Sequence, residues 1–261
     1  MTSLKALVLR AAGTNCDVET QYALSQAGFQ ADRVHVFRIM ENPDALKDYR
    51  FLVIPGGFSY GDDVAAGKIL ANQMLHRLSG PLNDFLAAGK LVLGICNGFQ
   101  VMLKSGLLPW GRVESAQAHR DATLGWNDSG KFEDRWVHLT CDSEKCAFLN
   151  KGEIISLPIA HGEGKFVPKD DTILAKLASG DQIALRYVDD QGRPGDYPVN
   201  PNGSVDDIAG ICDPTGRAMG LMPHPERFVQ VTHHPQWTRR EVKRADGTMF
   251  FRNAMDYLRN S

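Results

Sequence analysis

No apolar run in this chain approaches the ~18 residues that a membrane-spanning helix needs, so a helical membrane protein is excluded. The start, Met1-Thr2-Ser3-Leu4-Lys5, lacks a basic region followed by an apolar stretch and a cleavage site, and no secretory signal is read there. Charge of one sign is missing too. The 29 basic and 31 acidic residues leave a net charge of −2, which gives no electrostatic footprint for nucleic acid or an anionic membrane surface. Neither phosphate-cradling pattern, G-x-x-x-x-G-K-[ST] or G-x-G-x-x-G, marks a nucleotide site. Cysteine is scarce: five residues (16, 96, 141, 146 and 212), odd in number and scattered, argue for a reducing compartment and a cytoplasmic protein rather than a disulfide framework. Cys141 and Cys146 do not complete a zinc-finger spacing. With no internal repeat, low-complexity stretch or linker, residues 1–261 read as one domain, with 228–261 a C-terminal extension ending in a helix.

What is present alternates. Leu4 to Arg10 reads as a strand, Asp17 to Ala27 as a helix stopped by Gly28, and Val34 to Ile39 as a second strand. Phe51 to Ile54 reads as a third strand, and Lys68 to Ala88 as helical material broken near Gly80-Pro81. Leu91 to Ile95 is a fourth, apolar enough to be buried on both faces. Strand and helix at these spacings predict parallel βαβ units in an open α/β sheet, whose ligands bind at the carboxyl ends of the strands. The second half changes character. Trp136 to Cys141, Glu153 to Ile159, Ile183 to Val188, Ile208 to Asp213 and Ala218 to Met222 are short strand candidates with antiparallel or mixed pairing, including a two-residue hairpin near Pro214-Thr215. Thr248 to Arg259 carries Phe250, Phe251, Ala254, Met255 and Leu258 at helical spacing, an apolar stripe suited to core packing.

The fourth strand runs into Gly94-x-Cys96-x-Gly98, the thiol counterpart of the G-x-S-x-G nucleophile elbow. Only small neighbours leave room for a sharp strand-to-helix turn, and the helix that follows aims its free N–H groups and positive dipole end at the sulfur. An ordinary cysteine is only about 3% thiolate at neutral pH, so a helix N-terminus together with a histidine would make a better nucleophile. A bland alternative, a buried structural cysteine beside turn-forming glycines, is weakened by a second stretch. In Met222-Pro223-His224-Pro225-Glu226-Arg227, both Met222 and His224 precede proline and are pushed toward extended backbone. Side chains two apart then share a side, so Glu226 can orient the His224 imidazole and leave its other nitrogen to take a thiol proton.

Pro55-Gly56-Gly57-Phe58-Ser59-Tyr60-Gly61-Asp62-Asp63 follows the third strand. Glycines there let backbone N–H groups turn toward a ligand, and the N–H groups of Gly57 and Asn97 are the candidate oxyanion hole. Gln100 stands one helical turn after the nucleophile, within side-chain reach of a bound substrate. Cys16 also sits at a helix start, with Asn15 as a candidate cap. It lacks flanking glycines and any nearby proline-locked His-x-Glu. His161-Gly162-Glu163-Gly164 offers only two metal ligands, too few for a site, and is read as a loop that touches a partner or supports the site. Arg193 to Tyr197 reads as a solvated turn.

Cys96-Asn97-Gly98-Phe99-Gln100 with Met222-Pro223-His224-Pro225-Glu226 resembles the class I glutamine amidotransferases. A narrower resemblance, to the glutaminase components of phosphoribosylformylglycinamidine synthases, rests on four further stretches. These are Gly13-Thr14-Asn15-Cys16-Asp17, Pro55 to Asp62, His161 to Gly164 and Asn200-Pro201-Asn202-Gly203-Ser204. Other class I members usually carry Leu or Tyr where Asn97 stands and lack the long Phe-Ser-Tyr-Gly-Asp loop. The resemblance runs in order from about residue 5 to 228; the region after Arg227, with His233-His234-Pro235, matches less clearly. It implies a flavodoxin-like α/β fold and L-glutamine as substrate, with Cys96 as nucleophile, His224 as base and acid and Glu226 as its orienter. It also implies a synthetase subunit as partner, with or without a small accessory subunit, which uses ATP and Mg²⁺ to aminate formylglycinamide ribonucleotide in purine synthesis. No cofactor or metal is then expected in this chain. Two rivals stand beside this reading: another Cys–His γ-glutamyl hydrolase of the same fold, active alone on bulky amides, and a non-catalytic regulatory subunit.

Overall fold

Two short runs without a polar side chain, Phe51–Ile54 and Leu91–Ile95, are buried at every position, as strands must be when helices cover both faces of a sheet. The computed structural model describes residues 4–113, 120–239 and 242–260. Eleven strands occur among them: β1 (Lys5–Arg10), β2 (Gln30–His35), β3 (Phe51–Ile54), β4 (Leu91–Ile95), β5 (Ala122–Trp126), β6 (Glu133–Cys141), β7 (Ile154–His161), β8 (Glu163–Pro168), β9 (Ile183–Val188), β10 (Ile208–Cys212) and β11 (Ala218–Leu221). The α-helices are α1 (Asp17–Gln26), α2 (Val36–Glu41), α3 (Lys68–Ala87), α4 (Asn97–Lys104), α5 (Asp171–Ser179) and α6 (Thr248–Asn260).

Nine strands form one sheet in the order β2-β1-β3-β4-β11-β10-β9-β6-β7, and β5 pairs with β8 separately. From β2 to β11 every pairing is parallel; from β11 to β7 every pairing is antiparallel. The parallel half keeps the flavodoxin-like order, with β11 in fifth place, and the antiparallel half is the change of character expected from the second half of the sequence. Register does the positioning. Ile54 stands opposite Gly94, and Ile95 opposite Leu221, so the loops that leave β3, β4 and β11 emerge side by side at the carboxyl edge.

Several local expectations are corrected. Val34 to Ile39 is not a strand: β2 ends at His35, whose ring Nδ1 accepts from the Phe37 N–H, and Val36 and Ile39 are buried one turn apart on α2. The apolar run there is the buried stripe of a short helix, while the true β2 is a polar edge strand. α3 is not broken at Gly80-Pro81; it continues through Pro81, with Leu78, Leu82, Phe85 and Leu86 buried on its inner stripe. Packing of that stripe outweighs the lost backbone bond. The β10–β11 connection is longer than two residues, because Asp213 pairs with Ala218 and its carboxylate accepts from the N–H groups of Thr215, Arg217 and Ala218. His161 and Glu163 end β7 and begin β8 rather than sitting in a loop. The stripe of α6 is buried as expected.

The segment between β11 and α6 is tied to the core. Trp136 meets Phe228 edge-on at 5.0 Å, and the His234 ring packs 4.7 Å from Trp136 and 5.8 Å from Phe228. The Gly247 N–H donates to the Phe228 carbonyl and the Asp246 carboxylate accepts from the Ser156 N–H. This tail buttresses the residues that follow β11.

Candidate active site

Cys96 occupies the turn between β4 and α4 with φ 51° and ψ −105°, a left-handed backbone that is strained for a residue bearing a Cβ. Its N–H donates to Leu221 on β11, and its carbonyl accepts from the Phe99 and Gln100 N–H groups at the first turn of α4. The steric logic of the elbow holds. A Cβ on Gly98 would lie 1.9 Å from the Ile54 carbonyl oxygen, and one on Gly94 would lie 2.3 Å from Met102 Sδ. Any larger residue would push α4 off the strands and misplace the thiol. The thiol itself points toward the Ala160 carbonyl, 3.8 Å away at the end of β7.

His224 comes from the segment after β11 and is anchored by its N–H to the Pro158 carbonyl. Its Nδ1 lies 2.7 Å from Glu226 Oε1, and both residues are 1% exposed. The pairing foreseen from the sequence is present, but Pro225–Arg227 forms a 3-10 turn instead of extended chain. The pre-proline His224 keeps an open backbone, with φ −107° and ψ 89°. Burial disfavours the charged ring, yet Glu226 and then Cys96 and Cys16 outweigh it, and the His224 pKa stands well above the ordinary imidazole range. Among the described residues, neither His224 Nε2 nor Glu226 Oε2 has a hydrogen-bond partner.

Cys96 and His224 open on a cavity of about 710 Å³ that is also lined by Gly57, Gln100, His161 and Glu163, a size suited to a small molecule. Gly57 has φ 133°, a conformation that glycine alone adopts readily, and it bridges to Thr14, so the loops after β1 and β3 are zipped together. Asn97 is the first residue of α4, where a backbone N–H has no intrahelical acceptor. Its side chain is otherwise engaged: the amide NH₂ donates to Asp62 and to Gln100, and the amide oxygen accepts from the Ser59 N–H. Gln100 lines the cavity, as its place one turn after Cys96 led one to expect, and its side-chain amide also donates to the Glu163 carbonyl, so it braces the cavity wall. His161 Nδ1 meets Asn127 at 3.1 Å, and burial, followed by the nearby His224, lowers its pKa to about 3.

Cys16 is the clearest correction. Far from standing apart from the His-x-Glu pair, it lines the same cavity, interacts with His224 and accepts a hydrogen bond from Arg227 Nη2 at 3.2 Å. Burial pushes its thiol pKa up, with the His224 contact opposing. It is itself the N-cap residue of α1, so Asn15 does not cap the helix; Asn15 instead accepts from the Cys16 thiol. Arg227 and Ala160 were not singled out from the sequence, and Asn15 only as a cap. Arg227 adjoins Glu226 and Ala160 adjoins His161, so proximity in a motif was their only signal.

A thiol on an elbow, a buried imidazole–carboxylate pair and a cavity at the strand ends make an arrangement suited to nucleophilic cysteine chemistry. The family described as "CobB/CobQ-like glutamine amidotransferase domain" matches residues 3–258, which takes in the tail. The chain belongs to the glutamine amidotransferase family and is an enzyme of that class. Within the family it is similar to the phosphoribosylformylglycinamidine synthase subunit PurQ of Dehalococcoides mccartyi, 42% identical over 99% of each chain. It is likewise similar to that of Archaeoglobus fulgidus, 42% identical over 98% of this chain and 97% of the other. Among solved structures it matches a chain of PurLQS from Thermotoga maritima, with a TM-score of 0.75, 33% identity and coverage of 98% of this chain and all of that one. A Thermotoga maritima glutamine amidotransferase at 14% identity and TM-score 0.56 shares the fold.

Proposed function

We propose that this enzyme is the glutaminase component of a phosphoribosylformylglycinamidine synthase, hydrolysing L-glutamine to glutamate and passing ammonia to an ATP-dependent synthetase subunit. The observation that carries the chemistry is the convergence of Cys96 with the His224–Glu226 pair at one cavity. The relatives named above carry the substrate and the pathway to this chain. In this reading the Cys96 sulfur attacks the side-chain amide carbon, and its proton is held by His224, which Glu226 orients. The N–H groups of Gly57 and Asn97 receive the charge that develops on the amide oxygen. His224 then protonates the departing nitrogen, leaving a γ-glutamyl thioester and ammonia. Finally His224 draws a proton from water, which adds to the thioester, and glutamate leaves as the thiol is restored.

The partner belongs to the proposal as well. The structure from Thermotoga maritima is of PurLQS, a name that joins the relative of this chain to other subunits. Here the cavity mouth is rimmed by Phe58, Trp126 and Phe132, which are 48%, 69% and 54% exposed. So many aromatic edges around one opening suit a docking face for a synthetase subunit. That subunit would use ATP and Mg²⁺ to aminate formylglycinamide ribonucleotide in de novo purine biosynthesis, in the cytoplasm, and this chain's chemistry requires no cofactor of its own. No described helix is long and apolar enough to cross a membrane.

The test is peptide-mapped mass spectrometry after exposure to a diazo-ketone analogue of glutamine, with and without the synthetase. One adduct on Cys96, blocked by excess glutamine, is the expected result. An adduct on Cys16, or none that glutamine protects, would overturn the assignment. Turnover of bulky γ-glutamyl amides by the chain alone would favour a peptidase of the same fold.

A further inference from the structure

The proposed hydrolysis uses one thiol, yet a second lies against the same histidine. We propose that Cys16, His224 and Glu226 form an inhibitory binding site for a thiophilic divalent cation of the zinc class. One ligand atom from each residue lies within 4.8 Å of the others. The three come from two distant parts of the chain, the start of α1 and the turn after β11. All three are buried, with exposures of 1% each. Two further observations point to a ligand. Glu226 Oε2 is buried without a hydrogen-bond partner among the described residues, which is costly unless something pairs with it. And the floor of the site is bare: the position of a Cβ on Gly56 is 2.8 Å from His224 Cε1 and 3.2 Å from Cys16 Sγ, so only glycine lets both groups approach this spot.

The donor set suits the cation. Thiolate, imidazole and carboxylate are the usual zinc ligands, with bonds of about 2.0 to 2.3 Å, and a tetrahedral arrangement needs the ligand atoms roughly 3.3 to 3.8 Å apart. Adjustments of about an ångström or less bring a set confined within 4.8 Å to that geometry. The thiolate and carboxylate charges neutralise a dication. Entry is through the cavity, which both Cys16 and His224 line. Arg227, which donates to Cys16 Sγ, is 37% exposed at its side chain and holds Glu19 at 2.9 Å through Nε, so it keeps an anchor when the sulfur turns to a metal. On binding, the Cys16 thiol loses its proton to solvent. The imidazole gives one nitrogen lone pair to the metal and keeps its single proton on the other nitrogen. Whichever nitrogen binds, no lone pair remains to take a proton from Cys96. The inhibitory consequence rests on the roles proposed for Cys96 and His224; the metal site does not.

Two measurements separate them. First, the full chain carrying Cys96→Ala is titrated with Co²⁺ and with Zn²⁺, which removes the proposed nucleophile as a ligand. One equivalent should bind, with the near-ultraviolet band of a cobalt–thiolate bond, and adding Cys16→Ala should abolish the band and weaken binding at least about 100-fold. Binding without the thiolate band, no stoichiometric binding, or binding indifferent to Cys16→Ala would overturn the site. Second, the complex with its synthetase is assayed for glutaminase activity against buffered Zn²⁺. Inhibition should be reversed by a chelator, and Cys16→Ala or Cys16→Ser, each normalised to its own metal-free rate, should need at least about 30-fold more zinc. Equal zinc sensitivity in wild type and both variants would mean that a Cys96–His224 pair binds the metal unaided, and would overturn the proposal. Thermal melts of each variant establish that the comparison is between folded proteins.

Discussion

Gly56 and His224 are in contact so close that a single methyl group would part them: a Cβ on Gly56 falls 2.8 Å from His224 Cε1. The imidazole is therefore placed from three sides, by Glu226 at Nδ1, by the Pro158 carbonyl at its backbone N–H and by the bare backbone of Gly56. Gly56→Ala should move the ring by roughly an ångström and lower kcat about 10- to 100-fold, with less effect on KM. Steady-state glutaminase kinetics on the assembled complex check this. An unchanged kcat would show that the ring is not held against Gly56.

Cys96→Ala should abolish glutamine-dependent synthesis by the complex and leave ammonia-dependent synthesis by the synthetase intact. In the proposed function the thiol is needed only to release ammonia, and the acceptor chemistry belongs to the synthetase subunit. Product formation with glutamine and with ammonium salt, measured side by side, separates the two. Loss of both activities would contradict the division of labour.

The Asn97 side chain joins the elbow to the Ser59–Asp62 turn and to Gln100 through three hydrogen bonds of 2.9 to 3.2 Å. Asn97→Ala leaves the Ser59 N–H and the Gln100 side-chain amide oxygen buried without these partners. The expected cost is about 2 kcal/mol or more in denaturant unfolding. The loosened turn should also raise KM for glutamine more than it lowers kcat, because the backbone N–H of residue 97 remains.

His161 gives stability a pH dependence whose sign is fixed. Its pKa is about 3 in the folded protein against 6.5 for the free side chain, with burial the main cause. A depressed histidine means that the unfolded chain binds more protons, so the contribution is complete above pH 6.5 and is lost as pH falls from there toward 3. Between pH 7.5 and 5.5 the loss is about 1.4 kcal/mol. His161→Gln cannot titrate, and its urea-unfolding free energy should fall less over the same range by about that amount. Parallel pH profiles for the two proteins would show that His161 is charged or solvated in the fold.

What could be read in the sequence depended on how local the physics was. The elbow is legible because Gly94 and Gly98 answer to atoms within a few residues or on the adjoining strand. The His224–Glu226 pair is legible because two prolines restrict a six-residue stretch. The short helix α2 was hidden because Val34 and Val36 alternate as in a strand while Val36 and Ile39 keep helical spacing, and so short a run does not decide between them. Pro81 was read by its intrinsic cost, which the buried stripe of Leu78, Leu82 and Phe85 overrides. Cys16 was misjudged for a different reason. Its distance from His224 along the chain carries no information about the loops of β1 and β11, which meet only when sheet order and register are complete.

The parallel pairing of β4 with β11 also has a consequence in time. The Cys96 N–H needs the Leu221 carbonyl, and the imidazole that would activate the thiol arrives only on the segment that follows. A ribosome-bound chain that has emerged as far as α4 has the Cys96 thiol but not the His224 imidazole, nor the neighbouring strand that holds the turn in its strained shape. In the proposed mechanism, topology thus withholds the base from the thiol until the later strand and the turn after it have been made. On that mechanism the thiol becomes competent only after a sequence-distant strand has threaded in beside it, which would tie the onset of ammonia release to the completion of the subunit.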